Sequence, residues 1–287
     1  MAQGEYQVNE VNNDPANLLV DSKRIEHKDK AVPADVNGAN WSNLQFVRLV
    51  AIGKRFTKVK FANTTFDSCY LRDCLFDTCD FTGVRFSGTN LHGAKFTGCV
   101  FDYATFERTI IDDSILTDNC PPYENQKMRF ARSLRTNYQQ LGDAKAANHA
   151  IHVELQATET HLYKAWRSND RYYRKKYPGF IGRTQQFASW LKFKLLDYVW
   201  GNGESITALL RAVVVLIAAI AVLDLYLDPL PLRWATVTNA LWRSPQVFFS
   251  ITVPDHISPG LMTLITVLRF IAFGFFMSIL IKRFNRR

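Results

Sequence analysis

The sequence predicts an N-terminal solenoid of square β-coils, followed by a helical neck and a two-span α-helical membrane domain. Three observations predict it. A large apolar residue recurs at every fifth position, with one weak member, for sixteen positions from Trp41 to Leu116. The C-terminal third holds two apolar runs of membrane-spanning length. The formal net charge of +9 over 287 residues gathers beside those runs, so an anionic surface is the expected neighbour.

Residues 1–35 are polar and rich in Asn and Asp, with no apolar core of signal-peptide length. They are expected to be disordered, with a short helix around Ala16–Ile25.

From Val36 to Cys120 the period of five matches neither a helix nor a strand. The centres run Trp41, Phe46, Ala51, Phe56, Phe61, Phe66, Leu71, Phe76, Phe81, Phe86, Leu91, Phe96, Phe101, Phe106, Ile111 and Leu116. Two residues before a centre the side chain is often small, as at Thr64, Cys69, Cys74, Cys79, Thr89, Ala94, Cys99 and Ala104. One large and one small inward position describe one side of a square coil. Four sides close a turn, and stacked turns satisfy each other's backbone groups as adjacent strands do. Sixteen sides make four coils, about 19 Å tall at the ~4.8 Å strand spacing. The five cysteines form no CxxC pair, and the first three stand five apart. They read as reduced, buried packing residues rather than zinc ligands or disulfides.

The in-phase segments "ANWSN", "CDFTG", "TNLHG" and "AKFTG" resemble the A(D/N)LxX motif of pentapeptide-repeat proteins. The resemblance implies a right-handed quadrilateral β-helix over residues 36–120. Soluble members of that family include DNA mimics that bind topoisomerases, a role that needs an acidic surface. Here nine Lys/Arg balance nine Asp/Glu between Val36 and Cys120. Mimicry is not expected, and neither is a nucleic-acid-binding stripe.

"NCPPYENQ" ends the repeat, because Pro121 and Pro122 cannot donate ladder bonds. Residues 121–178 read as a cytoplasmic helical neck. Met128, Leu134, Tyr138 and Leu141 mark one helix, Gly142 and Asp143 a stop and a new cap, and a second helix runs to Pro178. His149 and His152 share a helix face beside Glu154, but no further metal ligand is in spacing. Basic residues crowd the end of this helix. Residues 179–204, with "FASWLKFKLLDYVW", mix aromatic rings and lysines and suit an amphipathic helix at headgroup level.

Residues 205–287 hold the membrane domain. "SITALLRAVVVLIAAIAVLDLYL" and "GLMTLITVLRFIAFGFFMSILI" each reach across a hydrocarbon core. Positive residues precede the first span and follow the second, and the loop between is nearly neutral, so both termini are expected in the cytoplasm. The localisation expected is the cytoplasmic membrane, multi-pass.

The loop is ordered as an amphipathic stretch, an extended Thr/Val segment, an Asp and a Pro, which is the order of a re-entrant pore loop. Some pentapeptide-repeat proteins carry a two-span domain similar to potassium channels, with a helical pair and a "GYGE" bend. "WGNGES" and "ALWRSPQVFFSITVPDHISP" resemble its bend and its "ALYFSxxTFTTxGYGDIxP" loop. The resemblance makes Ser250, Thr252, Val253, Pro254, Asp255 and His256 pore-loop candidates. A potassium filter needs glycines that let rings of carbonyls point inward, and this segment has none. Potassium selectivity by a standard filter is therefore not expected. Arg269 sits near mid-span and shares a helix face with Thr266 and Phe273. Four copies would form an Arg ring favouring anions; pairing with Asp224 or Asp255 of another copy, or lipid contact, is the alternative.

These readings lead to an oligomeric ion-channel-like protein, a tetramer favoured, with a cytoplasmic solenoid for sensing or assembly. The partners expected are the bilayer, further copies and a cytosolic protein on the β-helix. The alternative is a membrane-anchored scaffold with no permeation path. No catalytic residue, metal or cofactor is expected: no nucleophile–base pair, phosphate-binding glycine loop or metal spacing is present.

Overall fold

The computed structural model describes residues 24–228, 231 and 233–284. The chain divides into two units at Asn119 and Cys120. The first is a parallel-strand β-solenoid of about four turns. Its strands are β1 (Ile25–Lys28), β2 (Val36–Asn37), β3 (Leu44–Val47), β4 (Arg55–Thr57), β5 (Thr65–Asp67), β6 (Leu75–Asp77), β7 (Arg85–Ser87), β8 (Lys95–Thr97) and β9 (Thr105–Glu107). They form two parallel sheets, β1-β3-β5-β7-β9 and β2-β4-β6-β8. A one-turn helix, α1 (Ile115–Asp118), ends the unit.

The centres stack in four columns. Phe46, Phe66, Phe86 and Phe106 lie ring on ring at 5.2–5.3 Å. Phe56, Phe76 and Phe96 form a second column at 5.0–5.1 Å, and Phe61, Phe81 and Phe101 a third at 4.9–5.0 Å. The fourth is aliphatic and holds the buried Ala51, Leu71, Leu91 and Ile111. Ala51, the weak centre of the repeat, therefore sits where no ring stacks.

The small positions hydrogen-bond as well as pack. Several donate to a centre's carbonyl 23 residues back: Thr64 to Trp41 (2.5 Å), Cys69 to Phe46 (3.4 Å), Cys74 to Ala51 (2.7 Å), Cys79 to Phe56 (3.3 Å), Thr89 to Phe66 (3.1 Å) and Cys99 to Phe76 (3.4 Å). Threonine and cysteine are interchangeable here because both are small and carry a donor. Burial pushes the Cys69 thiol up to about 11.

A second five-residue rule runs two positions after each centre. All fifteen such residues from Gly38 to Arg108 have a positive φ, between +46° and +70°. Six are glycines; the rest include Asn43, Lys58 and Asp73.

The solenoid begins before the expected boundary at residue 36. Strand β1 pairs with β3 at an offset of 19 (His27 with Phe46), whereas β2 pairs with β4 at 20 (Val36 with Phe56). His27 stacks on Phe46 at 5.7 Å in the axial slot. One residue is missing between Val32 and Val36, so the period of five cannot be followed upstream. The disorder expected near the end of residues 1–35 gives way to a strand over Ile25–Lys28; residues 1–23, with all but the last two residues of the helix expected around Ala16–Ile25, lie outside the described residues.

The second unit is helical: α2 (Glu124–Leu141), α3 (Ala144–Arg167), α4 (Arg171–Lys176), α5 (Gly179–Trp200), α6 (Ile206–Leu227), α7 (Trp234–Phe248) and α8 (Pro259–Phe284). Helix α2 ends on left-handed Gly142, and Asp143 caps α3 by accepting from the Ala146 N–H at 2.9 Å. Buried Glu154 of α3 bridges Arg132 (2.9 Å) and Arg135 (3.0 Å) of α2, so it does not join His149 and His152 in a ligand set. Helix α3 stops at Arg167, short of the expected Pro178. Ser168 Oγ accepts from the Asp170 N–H at 3.0 Å, a local turn bond that competes with helix, and Arg174 donates to the freed Ala165 carbonyl. Helix α5 returns along α3 through Trp166 on Phe187 (5.1 Å) and Lys194 on Glu159 (2.6 Å).

Gly201, Asn202 and Gly203 form an elbow of three successive left-handed residues (φ +61°, +50°, +88°) between α5 and α6. A Cβ at Gly201 would lie 2.6 Å from Ser205 Cβ, so the bend needs glycine there. Trp200 stacks on Phe275 of α8 at 4.1 Å, and Lys282 reaches Glu204 at 3.6 Å. Helices α6 and α8 are long and apolar enough to cross a membrane, over Ile206–Leu227 and Pro259–Lys282.

Candidate functional site

The loop between the two apolar helices is built on α7, whose Val247 and Phe248 are buried with Ile220, Ile257 and Ile265. Pro245 lies inside α7 and offers no N–H to the Leu241 carbonyl. Ser244 Oγ donates to that carbonyl instead, at 3.2 Å. The helix closes with two reversed bonds, Ser250 N to Val247 O (3.0 Å) and Ile251 N to Gln246 O (2.8 Å). This closure sets Ser250 at φ +57°, where glycine is usual.

A serine there has a use. Arg269 Nη1 of α8 donates to Ser250 Oγ at 2.7 Å, and its guanidinium lies 5.2 Å from the Phe270 ring centre. The two candidates that the sequence left on separate segments are thus paired. Of the two others on the Arg269 face, Thr266 is half-buried and Phe273 is exposed.

Thr252, Val253, Pro254, Asp255 and His256 come together as one wall of a cleft of about 470 Å³. Asn239, Trp242, Arg243 and Gln246 of α7 form the other wall. Their spacing of three, four and seven puts them on one helix face. His256 also turns inward, and its Nε2 donates to Asp224 Oδ1 at 2.7 Å. Arg243 Nη1 approaches the same oxygen at 3.7 Å. Asp224 is only 1% exposed, so its charge is held by these two partners from the loop and from α7. Its second oxygen and the Thr252 hydroxyl are buried without a hydrogen-bond partner among the described residues.

The sequence offered Asp224 as a partner for Arg269 of another copy and did not join it to His256. Its signal is the lone carboxylate in α6. Arg243, Asn239, Trp242 and Gln246 were missed; the signal was their helical spacing on a polar face.

Residues 54–120 match the family described as pentapeptide repeat region. The match runs from the solenoid turn before β4 through α1 to Cys120 and stops short of α2. Among solved structures, the chain is similar to a trypsin-treated form of QnrB1, a plasmid-mediated fluoroquinolone resistance protein. The identity is 19% over 30% of this chain and 53% of that one, with a TM-score of 0.14. It is also similar to a pentapeptide repeat protein from the Arabidopsis thaliana thylakoid lumen, at 16% identity over 31% of this chain and 78% of that one, with a TM-score of 0.17. The chain thus spans about half the length of QnrB1. A search of curated proteins finds no match.

Proposed function

We propose that this chain is an oligomeric, channel-like protein of the cytoplasmic membrane whose solenoid serves as a cytoplasmic sensing or assembly domain. The observation that carries the reading is the polar cluster where the loop meets the apolar helices. A tether needs only apolar length. Here a buried carboxylate on α6 is bound by His256 and Arg243, and Arg269 of α8 is tied to Ser250. Charges within spanning helices are costly and mark functional pathways or partners. The cluster also gives the loop a defined shape, with Thr252 to His256 along an open cleft. A pore built from two-span hairpins needs several copies around an axis, four being the usual number. Both termini would face the cytoplasm, by the distribution of Lys and Arg.

A second reading is a membrane-anchored scaffold with no permeation path. The absence of glycine from Arg233 to Pro259 favours it, because no carbonyl-lined filter of the potassium type can form there.

The mass of the full chain in mild detergent, followed by planar-bilayer recording, tests both. A tetramer with unitary currents whose reversal potential moves on Arg269→Glu supports the channel. A monomer overturns it. A tetramer silent under voltage and osmotic steps supports the scaffold.

A further inference from the structure

We infer that the α4–α5 tip is a second membrane contact, selective for anionic lipid and separate from the spans. It rests on the membrane reading alone and requires no pore.

Between Lys164 and Lys194 the chain carries nine basic residues and one acid, Asp170. The fold uses some of them internally: Arg174 bonds the Ala165 carbonyl, Arg183 bonds Asn169 and Lys194 pairs with Glu159. Arg171, Lys175 and Lys176 remain exposed at the tip. Lys176 lies over the Tyr172 and Tyr177 rings, at 5.6 and 5.4 Å. Immediately after, Phe180 and Ile181 are 80% and 72% exposed.

This apolar patch continues along the helix. Leu191, Leu195 and Tyr198 are exposed and follow Phe180 on one face at helical spacing. Helix α5 has no buried residue; Phe187, between Phe180 and Leu191 on this face, stays 41% exposed although it packs on Trp166 of α3. The stripe leads to the start of the first span, where Arg211 Nη2 donates to the Tyr198 carbonyl at 2.8 Å and stacks over its ring at 4.5 Å. The 22-residue helix puts the Phe180 end about 33 Å from that start at 1.5 Å per residue.

A stripe of large apolar side chains that begins at a span and ends among cations fits a bilayer surface. Rings and aliphatic groups enter the acyl boundary while lysines stay with the headgroups. The charge selects the anionic leaflet, with about a fivefold gain in binding per basic residue near the surface. An acidic protein would be recognised by the cations, but it would leave the stripe unexplained.

The test uses the full chain in nanodiscs of phosphatidylcholine alone or mixed with phosphatidylglycerol, with amide hydrogen exchange read over residues 171–190. Incorporation itself reports on the spans and is expected in both lipids. Exchange over the tip should slow in the anionic discs only. Lys175→Gln with Lys176→Gln should reduce that protection by about 25-fold, and Phe180→Asp should also remove it. Exchange over the tip as fast in both lipids as in detergent, in a chain that has incorporated, overturns the inference. Equal slowing in both lipids overturns the anionic selectivity. Protection in anionic discs that survives both variants removes the tip as its cause.

Discussion

Replacing Asp224 tests whether the polar cluster holds the loop to the first apolar helix. Its side chain is 1% exposed, with His256 Nε2 at 2.7 Å and Arg243 Nη1 at 3.7 Å on one oxygen. Removing one partner of a buried ionic pair costs about 3–5 kcal/mol. Arg243, about one third exposed, regains water and contributes little of that sum. The His256 bond carries the remainder, since hydrogen bonds to charged groups contribute about 1.5–3 kcal/mol. Asp224→Ala should therefore destabilise the helical unit by about 3 kcal/mol, and Asp224→Asn, which keeps an acceptor, by about half as much. The assay is a double-mutant cycle of Asp224→Ala and His256→Ala by denaturant unfolding in detergent. A coupling of at least about 1 kcal/mol is expected. Additive effects, or an Asp224→Ala chain as stable as the parent, would refute the reasoning.

Phe81→Ala removes a ring stacked on both sides in the third column, and should cost the solenoid about 3–5 kcal/mol by chemical denaturation. Gly93→Ala puts a Cβ at φ +70° and 2.2 Å from Asp73 Oδ1. Because Asp73 can swing away, the loss should be about 1–2 kcal/mol, and Asp73→Ala should relieve only the steric part. His161 of α3 is buried, with the Tyr173 and Tyr177 hydroxyls at 3.4 Å, and burial holds its pKa below the usual histidine value. The unfolded chain then binds this proton first, so stability should fall as pH drops below about 6.5. A pH series of melting curves should lose that slope in His161→Gln. Ser250→Gly relaxes the left-handed turn by about 1 kcal/mol but frees Arg269. Thermal stability near the parent value, with altered labelling of residue 269 by an arginine reagent, is the expected pair of results.

The centres of the repeat were readable because burial selects large apolar side chains at a fixed interval. The left-handed positions were not, because Asn43, Arg48, Lys58, Ser68 and Tyr103 share a backbone conformation and no side-chain chemistry. The glycines at 83, 88, 93 and 98 were the visible trace of that rule. The first coil escaped because one missing residue after Val32 breaks the count. In the loop, local order placed α7, but the pairs Asp224–His256 and Ser250–Arg269 span 32 and 19 residues. Such pairings are set by packing of Val247 and Phe248 on Ile220, which no periodicity reports.

One aliphatic column among three of stacked rings gives the solenoid a grain. A five-residue deletion would preserve the alternation of inside and outside and leave each donor a centre's carbonyl 23 residues back, yet it would slide rings into the aliphatic column. Only insertion or loss of whole coils, twenty residues in the register of Phe46 with Phe66, leaves each neighbour facing its own kind. The exception proves local: a coil with one neighbour, as at Ile25–Val36, tolerates a single-residue slip. Length in such a domain can therefore change by whole floors, while its interior can drift freely only at the outermost one.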